Sequence, residues 1–167
     1  MADPNTLFDL SGRVACVTGA SSGLGQQAAS ALAAAGAQVI GVARRAEALS
    51  DWAERIGSKA ATLSADLSER SQIKEIAAQI AAPFGAPDIV VHAAGINTRE
   101  TADNVTDEGW DITLNLNLAA PFFLSQALVS GMKAKGWGRI VNFASLQTTR
   151  AFPGESATAL RKPALHN

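Results

Sequence analysis

Five short runs of apolar, largely β-branched residues recur along the chain, and the stretches between them carry apolar residues at helical spacing. That alternation constrains the fold more than any other feature, because strands joined by helical crossovers lie parallel and the crossovers return on the right-handed side. The strand-like runs are residues 13–18 (Arg-Val-Ala-Cys-Val-Thr), 38–43, 60–65, 89–92 and 139–144. The helical stretches are 24–35, ended by Gly36, then 46–56, closed by Gly57, then 69–82, stopped by Pro83, and finally 107–135. In the last and longest, Trp110, Leu114, Leu118, Phe122, Leu128 and Met132 make the apolar pattern, and Pro121 predicts a kink or local break. The expected architecture is a doubly wound parallel sheet with helices on both faces, three layers in all. Ala-rich runs at 31–35 and 77–82 read as helix faces packed close to the sheet, not as repeats.

Composition narrows the function classes. At 167 residues the chain has the length of one domain, and a domain of this size buries roughly 68–70% of its unfolded surface without staples. A single cysteine, Cys16, excludes a disulfide framework; inside an apolar run it reads as a small buried hydrophobe and fits a reducing, cytoplasmic setting. A net charge of -1 gives no footprint for nucleic acid or an anionic membrane. No uninterrupted apolar stretch reaches the roughly 18 residues of a spanning helix, and the first residues show neither a basic region nor an apolar segment of the signal-peptide kind. His92 reads as a satisfied histidine at the end of a buried strand, with no second His, Cys or carboxylate at ligand spacing from it, and no metal is expected.

Thr18-Gly19-Ala20-Ser21-Ser22-Gly23-Leu24-Gly25 lies between the first strand and the first helix. Gly19 permits a tight turn, Gly23 lets the backbone approach a pyrophosphate, and Gly25 lets helix and strand pack closely. The helix start supplies unpaired N–H groups and a positive dipole end. An ordinary Gly/Ser-rich turn would look similar in isolation, but its place after the first of five alternating strands favours dinucleotide binding.

This octet resembles the turn of the classical short-chain dehydrogenase/reductase family, which binds NAD or NADP on a Rossmann-like sheet. Further blocks follow in the family's order. Ala65-Asp66-Leu67 resembles the segment with the adenine-contacting Asp, although Asp66 could equally cap the next helix. His92-Ala93-Ala94-Gly95 stands where the family has Asn-Asn-Ala-Gly, keeping the last Ala-Gly. Trp110-Asp111, Leu116-Asn117-Leu118 and Pro121-Phe122 resemble the helix of the catalytic Asn, which falls on Asn117. Gly138 to Ser145 resembles the fifth strand and its catalytic Ser; a loop hydroxyl satisfying a turn is the alternative for Ser145. The resemblance implies hydride transfer between a nicotinamide and a small-molecule alcohol or ketone, with Asn117 holding a proton-relay water and Ser145 the substrate oxygen. It implies nucleotide contacts at Gly19, Ser21, Ser22, Gly23, Leu24, Gly25, Asp66, Leu67, Ala93, Ala94 and Gly95. It also implies a homo-oligomeric parent protein.

NAD sites carry an acidic residue at the end of the second strand for the ribose 2′-hydroxyl, and NADP sites an arginine for the 2′-phosphate. Here the strand ends Val42-Ala43-Arg44-Arg45, without a carboxylate and with two guanidinium groups, so NADP is expected ahead of NAD. Otherwise Arg44 and Arg45 are the solvated first turn of the next helix. Gly95 to Glu100 is similar to the loop of gluconate and deoxygluconate dehydrogenases, where Arg99 could pair with a substrate carboxylate or simply be exposed. A 3-oxoacyl carrier-protein reductase is the second substrate class.

The resemblance fails at one point. The family's proton exchange uses a Tyr thirteen positions after the Ser, with a Lys four residues later. Position 158 holds Thr158, the chain has no Tyr, and Lys162 stands in Arg161-Lys162-Pro163, where the proline discourages a continuing helix. Reading codons 155–167 one nucleotide earlier allows Gly-Ile-Ser-Tyr-Gly-Ala-Ser-Lys, which restores both residues. The expectation is therefore a single-nucleotide deletion near codons 154–155, real or a sequencing error. On that reading 1–154 is an incomplete nucleotide-binding domain, lacking the later strands and helices, 155–167 is a tail foreign to the family, and the chain is inactive. The alternatives are a non-catalytic dinucleotide-binding module and an unstable fragment with an exposed sheet edge.

Overall fold

A computed structural model of the chain describes residues 7–145. The strands β1 (Val14–Thr18), β2 (Gln38–Ala43), β3 (Ala60–Ser64), β4 (Ile89–His92) and β5 (Arg139–Asn142) pair in parallel in the order β3-β2-β1-β4-β5. Helices α1 (Gly23–Ala34), α2 (Ala46–Ile56), α3 (Ile73–Ala81), α4 (Asp107–Leu114) and α5 (Ala120–Lys135) cover both faces. This is the doubly wound, Rossmann-like α/β arrangement expected from the alternation.

The period of two along β1 explains the layering. Ala15 and Val17 point with Val39, Ile89 and Val91 toward α1 and α2, where Ala29, Ala33, Leu49 and Trp52 complete one core. Val14 and Cys16 point with Ile40, Val42 and Val90 toward α3 and α5, where Ile76, Ile80, Leu124 and Leu128 complete the other. A strand covered on both faces has no polar side to show, which is why β1 reads as a continuous apolar run. Burial pushes the Cys16 thiol up to about 12, so it behaves as a hydrophobe. Trp52 is fully buried, and its indole donates to Ser30 Oγ at 3.1 Å.

Three departures from expectation go beyond a one-residue shift at an element's end. The stretch 69–82 opens with a single 3₁₀ turn, Arg70–Gln72, before α3 begins. The fifth strand ends at Asn142 instead of 144, although Phe143 N–H still donates to the His92 carbonyl at 3.0 Å. The long helix does not break at Pro121. It widens into a π turn, Asn115–Ala119, between α4 and α5. Pro121 lacks the N–H that an α-helix would give to the Asn117 carbonyl, and the widened turn accommodates that missing bond.

By length and composition Asp107–Lys135 would suit a bilayer. Here Leu116, Ala120, Leu124, Leu128 and Met132 lie buried against the sheet.

The amino edge of the sheet is locked by Asp88, whose side chain is 3% exposed. It accepts from the Val14 N–H at 2.9 Å and from Lys135 Nζ at 3.0 Å, while Lys135 also donates to the Ala86 carbonyl at 2.7 Å. Arg13 lies 3.8 Å from the same carboxylate and 3.9 Å from the centre of the Trp137 ring. One carboxylate thus joins the start of β1, the entry to β4 and the end of α5. Among the described strands β3 and β5 are the two edges, and on β5 Ile140 is 43% and Val141 46% exposed. The expected boundary at 154, the tail 155–167, Thr158 and Lys162 lie outside the described residues.

Candidate functional site

Between β1 and β4 the strand order reverses, and the carboxyl ends of the strands part into a crevice there. The chain leaves β1 through Gly19, whose N–H donates to the Val42 carbonyl at 2.8 Å and whose φ is +72°. A Cβ on Gly19 would stand 2.8 Å from Ala94 N, and one on Gly25 would meet the Gly19 carbonyl oxygen. These two positions therefore require glycine on space alone. Gly23 opens α1 and has open space around it.

Thr18 fastens the two loops together. Its hydroxyl donates to the Val91 carbonyl at 3.4 Å and accepts from the N–H groups of Ala93 at 3.2 Å and Ala94 at 3.1 Å. In the sequence only the position of Thr18 just before the turn signals this role.

The crevice widens into a cleft of about 500 Å³. Gly19, Ser21, Ser22, Leu24 and Gly25 form its floor and the start of α1; Arg44 and Arg45 follow β2; Asp66 and Leu67 follow β3; Ala93, Ala94 and Gly95 follow β4. Every residue expected on the nucleotide side lines this cleft except Gly23. Ala43, Ala65 and Leu116 line it as well and were not expected. The first two adjoin residues that were, whereas Leu116 reaches the cleft only through the packing of the long helix. Ser22 caps α1 without a side-chain hydrogen bond, and the first turn holds no acidic residue. An α-helix start of this kind presents N–H donors and a positive dipole end to an anion.

The two arginines have different partners. Arg45 donates from Nε and Nη2 to Ser21 Oγ at 3.3 and 3.1 Å, and from Nη2 to Ser22 Oγ. Arg44 Nη1 stands 3.7 Å from Asp66 Oδ2. Asp66 Oδ1 accepts from Ser68 N–H at 2.9 Å and Ser68 Oγ at 2.7 Å, which closes a local turn; it does not cap the helix that follows, because the 3₁₀ turn and α3 begin after Glu69 and Gln72 without side-chain cap bonds. Burial raises the Asp66 carboxyl, but the Ser68 hydrogen bonds and the Arg44 charge outweigh it and hold the group below the usual range.

Asn117 sits in the π turn and is 2% exposed. Its Oδ1 accepts from Ile96 N–H at 2.8 Å and its Nδ2 donates to the Ile96 carbonyl at 2.8 Å. Solvent exposure is therefore not what places an asparagine in this helix; the buried side chain clamps the loop after β4. A Cβ on Gly95 would stand 2.9 Å from this same Oδ1.

His92 shares a 2.8 Å hydrogen bond with Ser125 on α5, and burial pushes its imidazole down to about 4. It is the satisfied buried histidine expected. Ser145 lies three residues past β5, half-buried at the carboxyl edge, and is not among the residues lining the cleft. Arg99 is exposed with φ +56°, its N–H donating to Asn97 Oδ1 at 2.9 Å. The neighbouring Glu100 accepts from Thr98 Oγ1 at 2.9 Å and Thr106 Oγ1 at 2.8 Å, tying the loop to the cap of α4. Among the described residues no three His, Cys, Asp or Glu side chains gather as a metal site.

A family model described as short chain dehydrogenase matches residues 13–166. A gluconate 5-dehydrogenase of Gluconobacter oxydans (strain 621H) is 36% identical over 170 aligned residues, covering 100% of this chain and 66% of its own length. The crystal structure of a 3-oxoacyl (acyl-carrier-protein) reductase from Agrobacterium tumefaciens C58 with NADP bound superposes with a TM-score of 0.91 at 31% identity, covering 99% of this chain and 65% of that one. A gluconate 5-dehydrogenase from Burkholderia cenocepacia J2315 in complex with NADP and tartrate superposes at 0.88 with 32% identity, covering 98% of this chain and 65% of that one. The chain thus spans a little under two thirds of the length of each.

Proposed function

The chain belongs to the short-chain dehydrogenase family, and we propose that its cleft binds NADP as the nucleotide half of an alcohol/ketone oxidoreductase. The observation that carries this reading is the union of a glycine turn, an uncapped α1 start and two arginines after β2 on one cleft, with no acidic residue at the end of β2. Bound there, NADP would supply or accept a hydride at its nicotinamide ring. The start of α1 with Ser21 and Ser22 would hold the pyrophosphate, Arg44 and Arg45 the 2′-phosphate, and Asp66 with Leu67 the adenine side. Ala93 to Gly95 would border the nicotinamide half, in a loop fixed by Thr18 and Asn117. The NADP named in two solved relatives supports this choice over NAD.

On the chemical side the assignment rests on fewer residues. Asn117 would serve through its main chain, since its side chain is committed to Ile96. Ser145 would hold the developing charge on a substrate oxygen. No tyrosine exists anywhere in the chain to exchange the proton, so this chain is proposed to bind nucleotide without appreciable turnover. Small polyhydroxy acids are the favoured substrates of the parent enzyme and 3-oxoacyl thioesters the second choice, following the relatives named above.

Titrating the chain with NADPH while following nicotinamide fluorescence, then assaying NADP reduction with gluconate, tests both parts. The expected result is saturable binding with no turnover above buffer. Absence of binding would overturn the cofactor reading, and turnover would overturn the claim of inactivity. Resequencing the coding DNA across codons 150–167 tests the proposed frame change separately.

A further inference from the structure

The Arg44–Asp66 ion pair spans the adenosine end of the cleft, and both residues line it. We propose that Asp66 sets nucleotide selectivity by holding Arg44, and that binding of a 2′-phosphate exchanges one anion for the other at that guanidinium. This inference rests on the NADP reading above.

Asp66 is the fixed member of the pair. Its Oδ1 is occupied by the Ser68 N–H and hydroxyl, which orient the carboxylate whatever Arg44 does. Arg44 is the movable member, with its side chain 57% exposed against 38% for Asp66 and a contact of 3.7 Å, longer than a close forked pair. An ion pair this exposed is weak, so it can be exchanged at little cost.

What replaces it depends on the ribose. A 2′-phosphate brings up to two negative charges and three acceptor oxygens, more than the single carboxylate oxygen that Arg44 leaves. A 2′-hydroxyl brings no charge and gives Arg44 no reason to move. Arg45 differs from Arg44 because its partners are the neutral hydroxyls of Ser21 and Ser22, which do not compete with a phosphate as an anion does. The Asp66 charge thus opposes phosphate binding directly and also through its hold on Arg44. Both effects have the same sign, and neither touches a nucleotide that lacks the phosphate.

Isothermal titration of the full chain with 2′,5′-ADP and with 5′-AMP, which differ only in the 2′-phosphate, separates these effects. Asp66→Asn keeps the oxygen that accepts from Ser68, removes the charge and puts an NH2 donor in place of the oxygen that faces Arg44. It is expected to raise the preference for 2′,5′-ADP over 5′-AMP by about threefold. Any change in adenine contact or fold affects both nucleotides alike and cancels in that ratio. Arg44→Gln is expected to lower the ratio, and adding Asp66→Asn to Arg44→Gln is expected to shift it by clearly less than threefold. An unchanged ratio in Asp66→Asn, or a full threefold gain persisting without Arg44, would overturn the proposal while leaving the NADP reading intact. Failure of the unmodified chain to bind either nucleotide would overturn both.

Discussion

Asn117 holds the loop after β4 through two hydrogen bonds, both to the backbone of Ile96. Its type and place were legible, since a polar, poor helix former inside an apolar helical pattern demands a reason. The reason itself was not, because Ile96 lies on a different element and only the tertiary fold brings it near. Asn117→Ala would take this pair of hydrogen bonds from the half-buried Ile96 backbone and is expected to destabilise the chain by about 2 kcal/mol in urea denaturation. His92 adds a pH dependence. Its imidazole titrates near 4 when folded and near the ordinary 6.5 when unfolded, so the unfolded chain binds more protons between these values. Stability should therefore be complete above pH 6.5 and fall as the pH drops toward 4, by on the order of 3 kcal/mol from this group. Urea midpoints at pH 7 and 4.5 check it, and His92→Gln should flatten the difference.

At the scale of elements, the turn after β1 was readable because its constraint is steric and local. Gly19 and Gly25 approach other backbone so closely that spacing alone reveals them. The π turn was not readable. Pro121 signals trouble for the helix, yet a break, a kink and a widened turn all relieve it, and packing on the sheet selects among them. The amino-edge clamp was missed for a similar reason, since Val14, Asp88 and Lys135 are far apart in sequence. Asp88→Ala should destabilise the fold by about 2 kcal/mol, less than for a fully buried pair because Lys135 can return to water. Asp88→Asn retains an acceptor for the Val14 N–H and should recover roughly half of that loss. Thermal melts of the two variants distinguish hydrogen bond from charge.

For the whole molecule, strand order and layering followed from the alternation of elements, and the cleft followed from where that order reverses. The residues of the nucleotide side were legible because each stands at the carboxyl end of a strand, a position the sequence marks plainly. The catalytic side was less legible. Ser145 depends on the end of the edge strand β5, and the sequence holds no tyrosine. Nucleotide binding is therefore the central claim for this chain, and the amide spectrum of the 15N-labelled protein with and without NADPH tests it most directly. The account expects shifts concentrated at Ser21 to Gly25, Arg44, Arg45, Asp66 and Ala93 to Gly95. An unchanged spectrum, or shifts centred away from these residues, would contradict it.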